Sequence, residues 1–147
     1  MPVEHIRHFL YISENLCSSG QPEAEDFHAI AAAGFQVVIN LAMPDSVNAI
    51  PEEEWLVVLQ DMDYHHIPVP FDAPQRRHLE QFIQLMENLQ GRKVWVHCAL
   101  NYRASAFLYL YFRWLGRSET DCRVAVFPGW KADVIWHKFM TQNMDEF

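Results

Sequence analysis

Residues 94–105 decide the fold of this chain and have the sequence Val94-Trp95-Val96-His97-Cys98-Ala99-Leu100-Asn101-Tyr102-Arg103-Ala104-Ser105. Their apolar start predicts a short buried strand at residues 94–96. A helix is predicted from residue 103 to residue 115, and because it is apolar nearly all round it is expected to be central and buried. Backbone N–H groups between such a strand and helix, together with the helix N-terminus, form a cradle for an anion. The sequence therefore predicts an anion-binding loop that opens at Cys98.

The rest of the chain predicts a sheet in which strands alternate with helices. Short strands are predicted at residues 9–13, 16–18, 35–41, 64–69 and 94–96. Helices are predicted to begin near residues 22, 51, 74, 103, 119 and 131. This alternation is typical of an α/β fold, a mainly parallel sheet flanked by helices on both faces. Such sheets bind ligands at the carboxyl ends of their strands, which is where Cys98 lies.

The helix predicted after Pro51 carries an apolar stripe and an acidic run. The stripe consists of Trp55, Val58, Leu59 and Met62, which follow the i, i+3, i+4, i+7 pattern of a core-facing side. The acidic run, residues 52–54, is interpreted as a solvated helix face.

Length and charge limit the function of the chain. Its 147 residues suit one domain, predicted over residues 1–147. The net charge of −8 argues against nucleic acid as a partner. Residues 1–73 contain one basic and 12 acidic residues, whereas residues 74–147 contain 10 basic and 7 acidic ones. Any anion site is therefore expected in the second half.

Apolar runs and cysteines indicate the compartment. No apolar run is long enough to span a bilayer and the first ten residues do not resemble a signal peptide, so no membrane partner is expected. Cys17, Cys98 and Cys122 are far apart and odd in number, which favours a reducing, cytoplasmic location. The chain has neither a Cys-x-x-Cys pair nor a His-Glu-x-x-His segment, so neither a metal nor another cofactor is expected.

Cys98 is the candidate nucleophile. A lone cysteine after an apolar strand is more often a core residue, and Cys17 and Cys122 are interpreted in that way. Cys98 instead follows a histidine and begins the predicted anion cradle. The positive field of that cradle favours the thiolate, which is the nucleophilic form and would face a bound phosphoryl group.

The segment resembles the cysteine-dependent phosphatases of the protein-tyrosine and dual-specificity type, whose signature is His-Cys, five residues, Arg, then Ser or Thr. It is more closely similar to a small bacterial branch of beta-lactamase-hydrolase-like phosphatases. Supporting motifs lie at residues 18–22, 33–41, 67–69 and 96–98, so the resemblance covers most of the chain. It implies a phosphatase-type P-loop between a central strand and a buried helix, and a phosphorylated substrate or a phosphate or sulfate ion as the partner in that loop.

The chain departs from the signature at the arginine. Position 104 is Ala104, and Arg103 comes one residue early. Two alignments with the signature are possible. In the first, the loop of this chain is one residue shorter. In the second there is no gap, so that Asn101 takes the place of a loop glycine and Ser105 takes the hydroxyl position. The ungapped alignment is preferred because asparagine is the non-glycine residue that best tolerates a left-handed backbone. A shift of one residue turns a helical side chain by about 100°.

The resemblance implies a role for each polar residue near the loop. Cys98 attacks the phosphoryl group, and Arg103 holds two of its oxygens. Asp72 protonates the leaving oxygen. Ser105 helps the thiolate leave, and His97 orders the loop. The phosphate-binding loop also includes Ala99, Leu100, Asn101, Tyr102 and Ala104.

Asp72 has a second interpretation. It follows a predicted strand and precedes Cys98 by 26 positions, on a loop stiffened by prolines. An aspartate before Ala-Pro equally suits the N-cap of the next helix. Asp63 is a weaker candidate for the acid because it precedes the strand.

Three functions compete at this point. The first is a phosphatase that hydrolyses a phosphomonoester through a cysteinyl-phosphate on Cys98. The second, favoured by Ala104, is a module that binds phosphate or a phosphoprotein without turnover. The third is a rhodanese-like sulfurtransferase, since rhodanese-type loops also begin with a cysteine held by backbone amides. Tyr102 either stacks on an aromatic phosphoester or lines the rim.

Overall fold

The computed structural model describes residues 2–145 and 147. Five strands and six helices lie within these residues. In chain order they are β1 Leu10–Ser13, β2 Leu16–Ser19, α1 Asp26–Ala32, β3 Val37–Asn40, α2 Glu53–Val58, β4 Asp63–His66, α3 Arg76–Asn88, β5 Val94–His97, α4 Tyr102–Trp114, α5 Glu119–Arg123 and α6 Val134–Met140. None of these helices combines the length and the apolar character needed to cross a bilayer.

The five strands form one sheet in the order β1-β2-β5-β3-β4. β2, β5, β3 and β4 run parallel to one another, whereas β1 runs antiparallel to its neighbour β2. The mainly parallel sheet expected from the sequence is therefore confirmed. His97, the last residue of β5, is level with Ser19 of β2 and with Asn40 of β3. Three adjacent strands thus end beside the start of the loop at Cys98.

Helices cover both faces of the sheet. The side chains of β5 alternate: Val94 and Val96 join the core formed with α3, α4 and α6, whereas Trp95 joins the core formed with α1 and α2. All four residues of β5 are buried, as expected for a central parallel strand. In α4 the ten residues from Arg103 to Phe112 are buried, which confirms the central helix predicted from its composition.

The apolar stripe predicted for α2 faces the wrong way. Trp55, Val58 and Leu59 are 59 %, 50 % and 60 % exposed, and of the four predicted residues Met62 alone, which follows the helix, is buried. The buried residues within the helix are Glu53 and Val57. These two residues are four positions apart and therefore share one face. The interpretation of Glu53 as solvated is also wrong. Hydrogen bonds from other elements stabilise its carboxylate inside the protein, so this face of α2 turns inward.

Candidate active site

The Cys98 loop, residues 98–101, connects β5 to α4, and backbone hydrogen bonds hold it to the end of β2 and the residues after it. The N–H of Cys98 donates to the Ser19 carbonyl at 3.3 Å, and the N–H of Gln21 donates to the Ala99 carbonyl at 3.0 Å. The chain passes so close at Gly20 that a Cβ there would lie 2.6 Å from the Ala99 oxygen. This contact is the physical reason for a glycine within the motif at residues 18–22.

Asn101 has the left-handed conformation expected of a residue in the loop-glycine position, with φ of 69°. It is the N-cap of α4. Its side-chain amide donates to the His8 carbonyl at 2.9 Å and to Ser18 Oγ at 3.0 Å. The side chain therefore fastens the loop to β2 and to the N-terminal segment, which glycine could not do.

Cys98 and Arg103 line the same cavity of about 190 Å³, together with Phe71, Ala99, Leu100 and Tyr102. Both residues are buried, Cys98 completely and Arg103 to within 5 %. Ala104, which occupies the signature position of the arginine, lies instead in the core under the sheet. Arg103, which precedes the signature position by one residue, therefore lines the cavity with Cys98.

The guanidinium of Arg103 is only partly satisfied by protein groups. One terminal nitrogen donates to the Val69 carbonyl at 2.9 Å, and the carbon of the guanidinium lies 5.6 Å from the centre of the Phe71 ring. Nε is buried and has no hydrogen-bond partner among residues 2–145 and 147. A buried donor without a partner is destabilising, so this atom suits an anionic ligand.

Two aromatic rings, those of Phe71 and Tyr102, line the cavity, and of these the sequence predicted only Tyr102. Tyr102 stacks on Trp130, with ring centres 5.2 Å apart and planes 6° from parallel. Phe71 lies near Tyr102 as well, at 6.4 Å between ring centres. Phe71 and Trp130 are far from Cys98 in the sequence, and no local pattern connects them to it.

Asp72 is exposed, on the Asp72 loop (residues 67–75) between β4 and α3. It does not line the cavity, but its neighbour Phe71 does. The interpretation of Asp72 as the cap of the next helix is wrong. The N-cap of α3 is Gln75, whose N–H donates to Nδ1 of His78, because the chain makes a further turn before the helix begins.

Asp63 lies away from the site. It is the first residue of β4, at the edge of the parallel sheet opposite to the Cys98 loop, and it forms a 3.1 Å ion pair with Arg92. Of the two aspartates considered as acids, only Asp72 belongs to a segment that reaches the cavity.

Ser105 is fully buried one turn into α4. Its hydroxyl donates to Oδ1 of Asn101 at 3.3 Å and accepts the Phe127 N–H at 2.9 Å. It therefore supports the loop from beneath, through Asn101.

A buried acid–base pair lies on the strand side of the loop. Nε2 of His97 is 2.6 Å from one oxygen of Glu53, and the side-chain amide of Gln21 donates to the other oxygen at 2.7 Å. Nδ1 of His97 is 3.1 Å from the carbonyl oxygen of Cys98. Burial by itself raises the pKa of the Glu53 carboxyl, but the charge and hydrogen bond of His97 and the hydrogen bond of Gln21 outweigh it and hold the pKa below its usual range. Sequence reasoning found His97 and missed Glu53.

Among residues 2–145 and 147, no cluster of three or more His, Cys, Asp or Glu side chains is arranged to hold a metal ion. Arg103, which lines the cavity, is a hydrogen-bond donor that suits an oxyanion.

No protein-family model matches the chain, and no curated protein matches it. Solved structures do match. The putative phosphatase (DUF442) from Shewanella putrefaciens CN-32 is 35 % identical, with a TM-score of 0.85 over 95 % of this chain and 92 % of that one. A putative phosphatase from Neisseria meningitidis Z2491 is 20 % identical, with a TM-score of 0.68 over 83 % of this chain and 92 % of that one.

A third match lies in a eukaryote. The core catalytic domain of the PP-IP phosphatase Siw14 from S. cerevisiae, solved in complex with citrate, is 16 % identical, with a TM-score of 0.73 over 96 % of this chain and 88 % of that one. At such identities the second and third structures show the common fold, whereas the first shows the family. The chain therefore belongs to the DUF442 family of putative phosphatases, and it shares its fold with the Neisseria and yeast phosphatases.

Proposed function

We propose that this chain hydrolyses a phosphomonoester through a cysteinyl-phosphate intermediate on Cys98. One observation carries the proposal: Cys98 and the partly unsatisfied guanidinium of Arg103 line one cavity at the carboxyl end of β5 and the N-terminus of α4. A thiolate there faces an anion held by backbone amides and by a planar cation, which is the arrangement that phosphoryl transfer requires.

In the first step the Cys98 thiolate attacks phosphorus. The S–P bond forms as the bond from phosphorus to the leaving oxygen breaks, and the Asp72 carboxyl gives its proton to that oxygen. The backbone N–H groups that follow Cys98 and Nε of Arg103 bind the remaining phosphoryl oxygens as their charge grows. The products of this step are the free alcohol and the cysteinyl-phosphate.

In the second step water attacks the same phosphorus. The Asp72 carboxylate, now deprotonated, accepts a proton from the water as the new O–P bond forms and the S–P bond breaks. Inorganic phosphate is released, and Cys98 returns as the thiolate. Ser105 acts on this step through its hydrogen bond to Asn101.

The test is hydrolysis of p-nitrophenyl phosphate by the wild-type protein, Cys98→Ser and Cys17→Ser. We expect turnover in the wild type, none in Cys98→Ser and full turnover in Cys17→Ser, which changes a buried cysteine on β2 outside the cavity. A rate in Cys98→Ser equal to that of the wild type would contradict the proposal.

A second candidate function is phosphate binding without turnover. It is favoured by Ala104 at the signature position and by the Val69 carbonyl, which occupies one nitrogen of Arg103. The variant Ala104→Arg separates the two functions. An inactive wild type that binds phosphate at millimolar concentration in calorimetry, together with a gain of turnover in Ala104→Arg, would favour the binding module.

Two general features belong to the same proposal. Both core clusters pack on the two faces of one sheet, which supports a single phosphatase-like domain over residues 1–147.

Cys17, Cys98 and Cys122 are free thiols. Free thiols suit a reducing compartment, so we place the protein in the cytoplasm.

A further inference from the structure

Both ring nitrogens of His97 face oxygen atoms. Nδ1 lies 3.1 Å from the Cys98 carbonyl, which can only accept a hydrogen bond, and Nε2 lies 2.6 Å from a carboxylate oxygen of Glu53. A neutral imidazole has one N–H and could satisfy only one of these acceptors, whereas an imidazolium has two. In the alternative, a protonated Glu53 would donate to Nε2. The hydrogen bond from Gln21 to the other carboxyl oxygen instead favours the carboxylate, and the pKa of Glu53 is held below its usual range.

The burial of the pair makes its charges interdependent. His97 is fully buried and Glu53 is 4 % exposed. An isolated imidazolium would not persist in such a place, and neither would an isolated carboxylate, so each requires the other. The resulting pair is neutral as a whole, but its cation is the end nearer to Cys98, since His97 is the residue that contacts the Cys98 carbonyl.

From this geometry we infer that Glu53 is a positioning residue: it keeps His97 as an imidazolium beside Cys98 and thereby favours the Cys98 thiolate. The consequence for catalysis rests on the proposed function, but the protonation of His97 does not. Sequence analysis assigned no role to Glu53 beyond a solvated helix face.

Few other ionisable groups face this pair. From β4, the side chains of Tyr64 and His66 line the same cavity as Glu53, and Nε2 of His66 donates to the Ala42 carbonyl at 2.7 Å. Glu52 and Glu54, at the start of α2, are exposed and line this cavity as well. From α1, the ring of Phe27 lies near that of His97, at 6.5 Å between ring centres.

The first test uses the wild-type protein. The ¹⁵N and ¹H signals of the His97 ring are recorded near pH 7 by NMR and are assigned by their absence in His97→Gln. We expect both nitrogens to be protonated. A neutral tautomer, with one protonated nitrogen, would overturn the inference without any need for a variant of Glu53.

The second test measures how fast iodoacetamide alkylates Cys98 as a function of pH, with alkylation located by mass spectrometry. We compare the wild type with Glu53→Gln, which keeps the size and hydrogen-bonding oxygen but loses the charge, and with Glu54→Gln as the exposed neighbour. The midpoint of alkylation is expected to move up by about one pH unit in Glu53→Gln and to stay unchanged in Glu54→Gln. An unchanged midpoint in Glu53→Gln would overturn the inference.

Glu53→Asp shows whether a shifted midpoint in Glu53→Gln comes from the lost charge or from a disrupted fold. It restores the charge on a shorter side chain, so we expect a midpoint between those of the wild type and Glu53→Gln, in a protein whose thermal unfolding stays cooperative. A midpoint in Glu53→Asp equal to that of Glu53→Gln would mean that the charge is not responsible. Neither test requires turnover. A protein that shows the imidazolium and the shifted midpoint but hydrolyses no aryl phosphate would refute the proposed function and leave this inference standing.

Discussion

The indole N–H of Trp136 donates a 2.7 Å hydrogen bond to the carbonyl oxygen of Phe71. Trp136 is fully buried on α6, and its ring also packs against the Phe71 ring, with centres 5.6 Å apart. On the other side of the Asp72 loop, Arg103 donates to the Val69 carbonyl. The segment that carries Asp72 is therefore tied both to the C-terminal helix and to the arginine beside Cys98.

Trp136→Phe removes this hydrogen bond and keeps an aromatic ring in the core. We expect hydrolysis of phenyl phosphate, whose leaving group needs a proton, to fall about tenfold, a fraction of what general acids contribute, and hydrolysis of p-nitrophenyl phosphate to change much less. The measurement is kcat/KM for both substrates. Trp55→Phe, which changes an exposed residue of α2, is the control. Equal losses on both substrates would mean that Trp136 does not act through the acid.

Asp72→Asn removes the proposed acid itself. General acid catalysis contributes about 10²-fold or more, so the rate on phenyl phosphate is expected to fall by that factor and the rate on p-nitrophenyl phosphate only slightly. Asp63→Asn is the matched control, since its carboxylate pairs with Arg92 at the opposite edge of the sheet. If Asp63→Asn shows the leaving-group effect and Asp72→Asn does not, the assignment of the acid is wrong.

Arg103→Lys tests the planar clamp. A lysine keeps the charge but cannot hold two phosphoryl oxygens with a planar fork, so kcat/KM is expected to fall about 10²- to 10³-fold. Arg113→Lys is a fair comparison because Arg113 lies on the same helix and also donates to backbone carbonyls, those of Met140 and Gln142, but does not line the cavity. A similar kinetic loss in both variants would point to helix stability instead of phosphate binding.

Two substitutions of Asn101 distinguish the cost of its left-handed backbone from the contribution of its side-chain hydrogen bonds to stability. Asn101→Gly relieves the left-handed backbone but loses the bonds to His8 and Ser18, whereas Asn101→Ala loses the same bonds and keeps the strain. In urea unfolding we expect Asn101→Ala to be the less stable of the two by about 1 kcal/mol, with both below the wild type by at least about 1 kcal/mol. Equal stabilities of the two variants would show that the left-handed conformation costs nothing here.

The buried Glu53 predicts a pH dependence of stability. Its pKa is lowered in the folded protein, so the unfolded chain binds its proton more readily. The stabilisation is therefore complete above the ordinary carboxyl pKa of 4.5 and is lost as the pH falls through the lower folded-state value. Urea unfolding from pH 7 downward should show a steeper decline below pH 4.5 in the wild type than in Glu53→Gln. Parallel curves for these two proteins, with Glu54→Gln as the reference, would contradict this.

Local patterns were sufficient for the centre of the fold. The apolar run of β5 and the all-round apolar composition of α4 predicted the buried strand and the buried helix, because burial on all sides leaves no polar face in a sequence. Asn101 was expected to be left-handed because few other residues tolerate that conformation. Each of these inferences depends on residues within one short segment.

Periodicity was less informative for α2. The spacing of Trp55, Val58 and Leu59 shows that they share a side, but it does not show which side of a six-residue helix faces the core. That choice depends on partners elsewhere in the chain, here the hydrogen bonds that Glu53 makes with Gln21 and His97.

The sequence by itself determined the α/β architecture, the loop that opens at Cys98 and the resemblance to the cysteine-dependent phosphatases. Only the tertiary structure decided that Arg103 and not position 104 lies beside Cys98, that Glu53 pairs with His97, and that Trp136 holds the loop of Asp72. The physical reason is range. Strand, turn and helix preferences act between neighbours in the chain, whereas the direction of a buried charged or aromatic side chain is set by donors and acceptors that folding brings together from distant segments.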